Sequence, residues 1–170
     1  MTVPPAPALA RLGDLLGAAP PASLQALAGS AHGLGDLESN LRRQLEAPHL
    51  EPLDKLLVAV AVASACGGGD AVAWFGEAAR GRGATAGHVL DAVAVAAVCS
   101  TFNTLHSFRD MAQDAELDAL RAPFVANSLM KGSLSAAQVE AICVAVSAVN
   151  HCAPCVRAHV KKARAAGLTT

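Results

Sequence analysis

The chain has 170 residues, is 53% hydrophobic and only 16% charged, and sets 13 basic against 14 acidic residues for a formal charge of −1. This apolar content argues against disorder, the neutral balance leaves no electrostatic footprint for nucleic acid, and 3% aromatic residues without tyrosine leave no base-stacking platform. The mean hydropathy of +0.39 raises the question of a membrane; the apolar run 56–66 is far short of the ~20 residues a spanning helix needs, so no membrane segment is expected.

Residues 1–7 read as a flexible proline-rich lead, and residues 1–170 as one domain. The start lacks the basic region of a secretory signal and its prolines would break the apolar helix of one, so a cytoplasmic protein with mostly free thiols is expected. Short helices are predicted over 8–16 and 22–31, separated by Gly17 and the Pro20-Pro21 pair. Leu37, Leu41 and Leu45 form a four-residue stripe on a helix over 36–46 that stops before Pro48. Pro52 opens a helix running to Cys66, which three glycines end. Asp70 is expected to cap a helix to about Arg80, and Thr85 one that continues to about Gln113. Alternation of Val and Ala over 58–62 and 93–95 would suit a strand by period alone. Alanine is a poor strand former and the best helix former, and no hairpin signal adjoins either run, so an all-α fold is expected. After a loop over 127–132, Ser135 and Gln138 make a capping-box signature for a helix through Val149. Asn150-His151 breaks it, and a last helix begins at Cys152 or Ala153, with Pro154 in its first turn and Gly167 as its stop.

A shift of 86 residues superposes Val58-Ala59-Val60 on Val144-Ala145-Val146, Cys66 on Cys152 and Gly81 on Gly167, the pattern expected of a duplicated helical hairpin. The second unit then has no counterpart of the helix that begins near Thr85, unless a partner subunit supplies the cover.

Chemistry concentrates in Glu140, Cys152, Cys155 and His159. Two cysteines three apart at a helix start face one side, where a disulfide can close between them. The positive end of the helix dipole lowers a thiol pKa there. His159 lies one turn beyond Cys155, placed to move the thiol proton. Glu140 lies about as far before the break as His159 lies after it, so an antiparallel hairpin brings the carboxylate level with the imidazole it would orient. The competing reading is structural zinc held by Cys152, Cys155 and His159, with His151 as a fourth ligand; no second Cys-x-x-Cys exists to supply the usual opposite knuckle. Cys66, Cys99 and Cys143 are expected to be small core residues, and His32, His49, His88 and His106 ordinary ones. Arg157, Lys161, Lys162 and Arg164 give the last helix a basic face.

The run Glu140, eleven residues, Cys152-Ala153-Pro154-Cys155, three residues, His159 resembles the alkylhydroperoxidase D (AhpD) family of the carboxymuconolactone decarboxylase-like superfamily. The text 145–150 and, more weakly, the segment 103–109 are also similar, so the likeness spans about residues 35–170. It implies an all-helical thiol peroxidase or dithiol oxidoreductase, a homo-oligomer (trimer or hexamer), acting on organic hydroperoxides. Cys155 would attack the peroxide, Cys152 resolve it, and Glu140 and His159 relay protons. No cofactor is implied beyond a redox-active Cys152–Cys155 disulfide. A peroxiredoxin and a lipoylated or thioredoxin-type reductant are the implied partners. Pro154 stands where the best-known members have a histidine, which keeps a thiol–disulfide electron carrier as the alternative reading, beside a zinc-binding assembly protein. Full-length members of that family also carry a final helix for which no counterpart is expected within residues 1–170.

Overall fold

The computed structural model describes residues 5–30 and 32–169, and all regular structure among them is helical. The α-helices are α1 (Pro5–Leu16), α2 (Gly33–Glu46), α3 (Pro52–Ala65), α4 (Gly69–Arg80), α5 (Ala86–Ala112), α6 (Ala115–Ala119), α7 (Ala136–Val149) and α8 (Ala153–Ala165). Two 3-10 helices, Ala22–Gly29 and Asn127–Leu129, lie in the connections.

The expected all-α class holds, and the differences are local. Residues 5–7 of the proline-rich lead are the first turn of α1, because the first N–H groups of a helix have no intrahelical partner and proline loses nothing there; residues 1–4 lie outside the described residues. The helix expected over 22–31 is a 3-10 helix ending at Gly29, without a side-chain cap at Pro21; Ala31 lies outside the described residues. Asp70 does not cap α4. Gly68 holds the cap position, and Asp70 sits in the first turn, accepting from Ala71 N. The five-residue α6, capped by Asp114 on Glu116 and Leu117, was not legible as a separate element.

Helices α3, α5 and α7 pack on one another, with α4 against α3 and α8 against both α7 and α5. Small side chains line these contacts: Ala61, Ala92 and Ala96 are fully or almost fully buried beside Leu57, Val60, Val95, Ile142 and Val146. By length and composition α5 is long and apolar enough to cross a bilayer, contrary to the expectation that no segment is. In this structure it is a packed helix whose inward stripe runs Val89, Ala92, Val95, Ala96, Cys99 and Asn103. The α1–α2 layer is fastened by polar contacts: Arg82 donates to Leu15 O and Leu16 O at the end of α1, both at 2.9 Å, and Trp74 Nε1 to Ala18 O at 3.0 Å.

The hairpins α3–α4 and α7–α8 share a backbone course, although not in the register of the sequence echo. Cys66 N bonds Val62 O as Asn150 N bonds Val146 O, and Gly68 N bonds Ala63 O as Cys152 N bonds Ser147 O. The matching positions are therefore two residues off the expected shift. Cys66 ends α3 while Cys152 begins α8, so the two cysteines are not equivalent, and the 86-residue duplication is not supported.

The entry into α7 is set by α5. Asp91 Oδ2 accepts from both the N–H and, at 2.6 Å, the hydroxyl of Ser133, which holds its carboxyl below the ordinary aspartate value. Gly132 passes so close that a Cβ there would meet Asp91 Oδ2 at 2.9 Å. Gln138, part of the Ser135 capping box, also donates to Asp54 Oδ1 of α3 at 2.7 Å. A depressed carboxyl pKa adds stability above the unfolded value and loses it as pH falls through the folded one. Asp91→Asn is expected to destabilise the fold by about 1 kcal/mol at neutral pH after solvent screening. In urea unfolding, its gap from the native chain should close as pH drops below about 3.9.

Candidate active site

Helix α7 ends in a tight reversal. His151 takes φ 53°, its N–H bonds Ala148 O at 3.1 Å, and Cys152 N bonds Ser147 O at 3.0 Å. These are the paired bonds of a left-handed helix stop. A histidine here bears the steric cost that glycine avoids. Asn150 Nδ2 donates to Ser100 Oγ at 3.0 Å and pins the reversal to α5. Cys152 therefore caps α8, with Pro154 in its first turn.

Cys152 and Cys155 are joined as a disulfide with Cα atoms 5.2 Å apart. Both are buried, and their sulfurs are committed to each other, so the zinc set of Cys152, Cys155, His159 and His151 is not assembled. His151 itself is exposed. His159 Nδ1 lies 2.7 Å from Glu140 Oε2, across the α7–α8 hairpin, with both side chains less than a fifth exposed.

A cavity of about 390 Å3 opens between α5, α8 and the segment before α7, lined among others by Cys99, Phe102, Asn103, Cys155 and His159. Cys155 reaches its wall and Cys152 does not. Pro154, Ala158 and Leu129 make the surface apolar, while His106 and Lys162 add polar groups at it. His106, read from the sequence as ordinary, is thus a site neighbour.

Beneath the cavity lies a second polar layer. Glu140, Cys143 and Ser147 share one face of α7, and Cys99 and Asn103 one face of α5. Cys99 Sγ is 3.6 Å from Ser147 Oγ and 3.8 Å from Asn103 Oδ1, and Ser147 donates to Asn103 Oδ1 at 3.1 Å. Asn103 is 1% exposed, yet its Nδ2 finds no acceptor. Hydrogen bonding from Cys143, helped by Ser147 and the nearby His159, pulls the Cys99 thiol below its ordinary value against the effect of burial; Cys143 is pushed up by the same contact and by burial. Cys99 and Cys143 are buried as expected, but Cys66 is exposed, because it ends α3 beside glycines that carry no side chain to cover it. Sequence reasoning missed Cys99, Asn103 and Ser147 as site residues. The available signal was a polar asparagine and a cysteine four apart on the inward stripe of an apolar helix.

The carboxymuconolactone decarboxylase family model matches residues 115–170, the segment that carries α7, the reversal and α8. An alkyl hydroperoxide reductase AhpD of Anaeromyxobacter sp. (strain K) is 36% identical over 134 residues, covering 79% of this chain and 72% of that protein. The chain belongs to the AhpD-like family. A second protein of that name, from Anaeromyxobacter dehalogenans (strain 2CP-1), is 35% identical with the same coverage. Similarity to the family thus extends well beyond the matched segment and suggests an oxidoreductase of the alkyl hydroperoxide reductase type.

Two outcomes follow from the geometry. With the disulfide closed, a small thiol reagent should label one cysteine of the native chain rapidly and two more only after denaturation, and Cys66→Ser should remove the rapid one. His151→Gly should raise stability by about 1 kcal/mol in thermal or urea unfolding, because it relieves the left-handed backbone.

Proposed function

We propose that this protein is a thiol-dependent peroxidase that reduces organic hydroperoxides through a reversible Cys152–Cys155 disulfide. One observation carries the reading: Cys155 and His159 share the wall of one largely apolar cavity, and Glu140 occupies the other side of that imidazole. In the reduced protein Cys155 lies in the first turn of α8, where unpaired N–H groups and the helix dipole favour its thiolate. That thiolate attacks the peroxide oxygen distal to the organic group, the O–O bond breaks, and the leaving alkoxide takes a proton relayed by His159. Cys155 becomes a sulfenic acid. Cys152 sulfur then bonds to Cys155 sulfur, expelling the hydroxyl as water. Two electrons from a dithiol reductant, of the lipoylated or thioredoxin type, reopen the disulfide. Glu140 accepts the Nδ1 proton of His159 in a hydrogen bond and holds the ring in one orientation.

The cavity suits an organic hydroperoxide because its wall offers apolar contact for the organic group. Pro154 contributes no titratable group beside Cys155, and this favours the second reading, a thiol–disulfide electron carrier with little peroxidase activity. A peroxiredoxin partner belongs to either reading. Self-association as a trimer or hexamer in the cytoplasm completes the proposal, and the exposed Leu90, Met111, Leu120, Val125 and Met130 support association.

The test is stopped-flow thiol loss after one equivalent of an organic hydroperoxide is added to the reduced, metal-free chain. The peroxidase reading expects rapid loss of two thiols, no disulfide in Cys155→Ser, and a trapped sulfenic acid in Cys152→Ser. His159→Gln is expected to slow the first step by about 10²-fold. Thiol loss no faster than background, together with rapid exchange against a small disulfide, would instead establish the carrier.

A further inference from the structure

The second polar layer holds a feature that the proposed peroxide chemistry does not use. Cys99 from α5, Cys143 from α7 and His159 from α8 place one potential ligand atom each within 4.8 Å of one another. Both cysteines are buried, and each donor stands on a different packed helix, so the three converge on a point fixed by the tertiary core.

We infer that Cys99, Cys143 and His159 form a binding site for a single soft cation of the Zn²⁺ class, separate from the Cys152–Cys155 disulfide. Two thiolates and one imidazole are the donor set that such an ion selects over hard cations such as Mg²⁺ or Ca²⁺. With Zn–S near 2.3 Å and Zn–N near 2.0–2.1 Å, tetrahedral ligands lie roughly 3.5 Å apart, so the donors need to close by about 1 Å. Binding releases the two thiol protons to solvent.

Two further observations point to a ligand here. Glu140 engages His159 Nδ1, which leaves Nε2 free to coordinate and supplies the carboxylate that commonly orients a metal-bound histidine. The buried Asn103 Nδ2, four residues from Cys99 and in the same cavity wall, lacks any acceptor. A metal-bound thiolate, or a water in the fourth coordination position facing the cavity, would provide one. Cys99 and His159 both line that cavity, so the open position has access to solvent.

His159 serves both this site and the proton relay proposed above, so the test reads metal binding alone, in the oxidised chain, where Cys152 and Cys155 cannot ligate. Co²⁺ titrated into the untagged, metal-stripped protein should give thiolate-to-cobalt charge-transfer bands that saturate at one ion per chain and vanish when Zn²⁺ displaces it. Cys99→Ala and Cys143→Ala should each abolish the bands, while Cys66→Ser and the double variant Cys152→Ser/Cys155→Ser should retain them. Asn103→Leu should weaken Co²⁺ binding by on the order of tenfold. Far-UV circular dichroism establishes that each variant is folded, and the spectrum of the native chain is decisive without any variant. Absence of the bands in the native chain overturns the inference, as does their loss in Cys66→Ser or their survival in a folded Cys99→Ala chain. None of these results bears on the hydroperoxide assay.

Discussion

The left-handed reversal at His151 is the constraint on which the rest of the site depends. Its two backbone bonds, His151 N to Ala148 O and Cys152 N to Ser147 O, turn the chain within two residues. A looser connection would let α8 slide along α7, and Glu140 would lose its register with His159, nineteen residues away in sequence. The same bonds set Cys152 as the cap of α8 and leave Cys155 in its first turn. One local backbone geometry thus positions the cysteine pair, the carboxylate and the imidazole together.

The small-residue interior is what makes room for polar chemistry. Ala61, Ala92 and Ala96 let the helix backbones of the core approach closely, and the larger Leu57, Val60, Val95, Ile142 and Val146 fill the remaining space. Where α5 meets α7 beside the cavity, the Cys99 thiol, the Ser147 hydroxyl and the Asn103 amide contact one another, and Cys99 also reaches the Cys143 carbonyl. These contacts satisfy most of the layer, and Asn103 Nδ2 is left without a protein acceptor. Asp91 and Gln138 act at the other end of α7, tying its start to α5 and α3, so that the helix bearing Glu140 and Cys143 is fixed at both termini.

Much of this was legible in the chain itself, for reasons specific to each element. Ser135 with Gln138 is a capping-box signal and Thr85 a cap signal, both local side-chain chemistry; each forms a capping box, the second completed by His88, which the sequence pattern does not pair with Thr85. The start of α1 and the form of residues 22–29 were less legible, since proline is compatible with a helix start as well as with a lead, and a single packed leucine, Leu24, does not define a helical face. The Cys66–Cys152 echo misled because alanine and valine matches are cheap in such a composition, while the backbone bonds place those cysteines on opposite sides of their turns.

The sequence by itself determined the all-α class, the position of the reversal and the spacing of Glu140, Cys152, Cys155 and His159, because helix caps, breaks and periodicity are short-range properties. Only the tertiary structure decided that α5 contributes Cys99, Phe102 and Asn103 to the cavity wall, and that Cys99 and Cys143 lie beside His159. Cys99 and Cys143 are forty-four residues apart. No local rule relates two residues at that distance; their meeting depends on which faces of α5, α7 and α8 the core buries together.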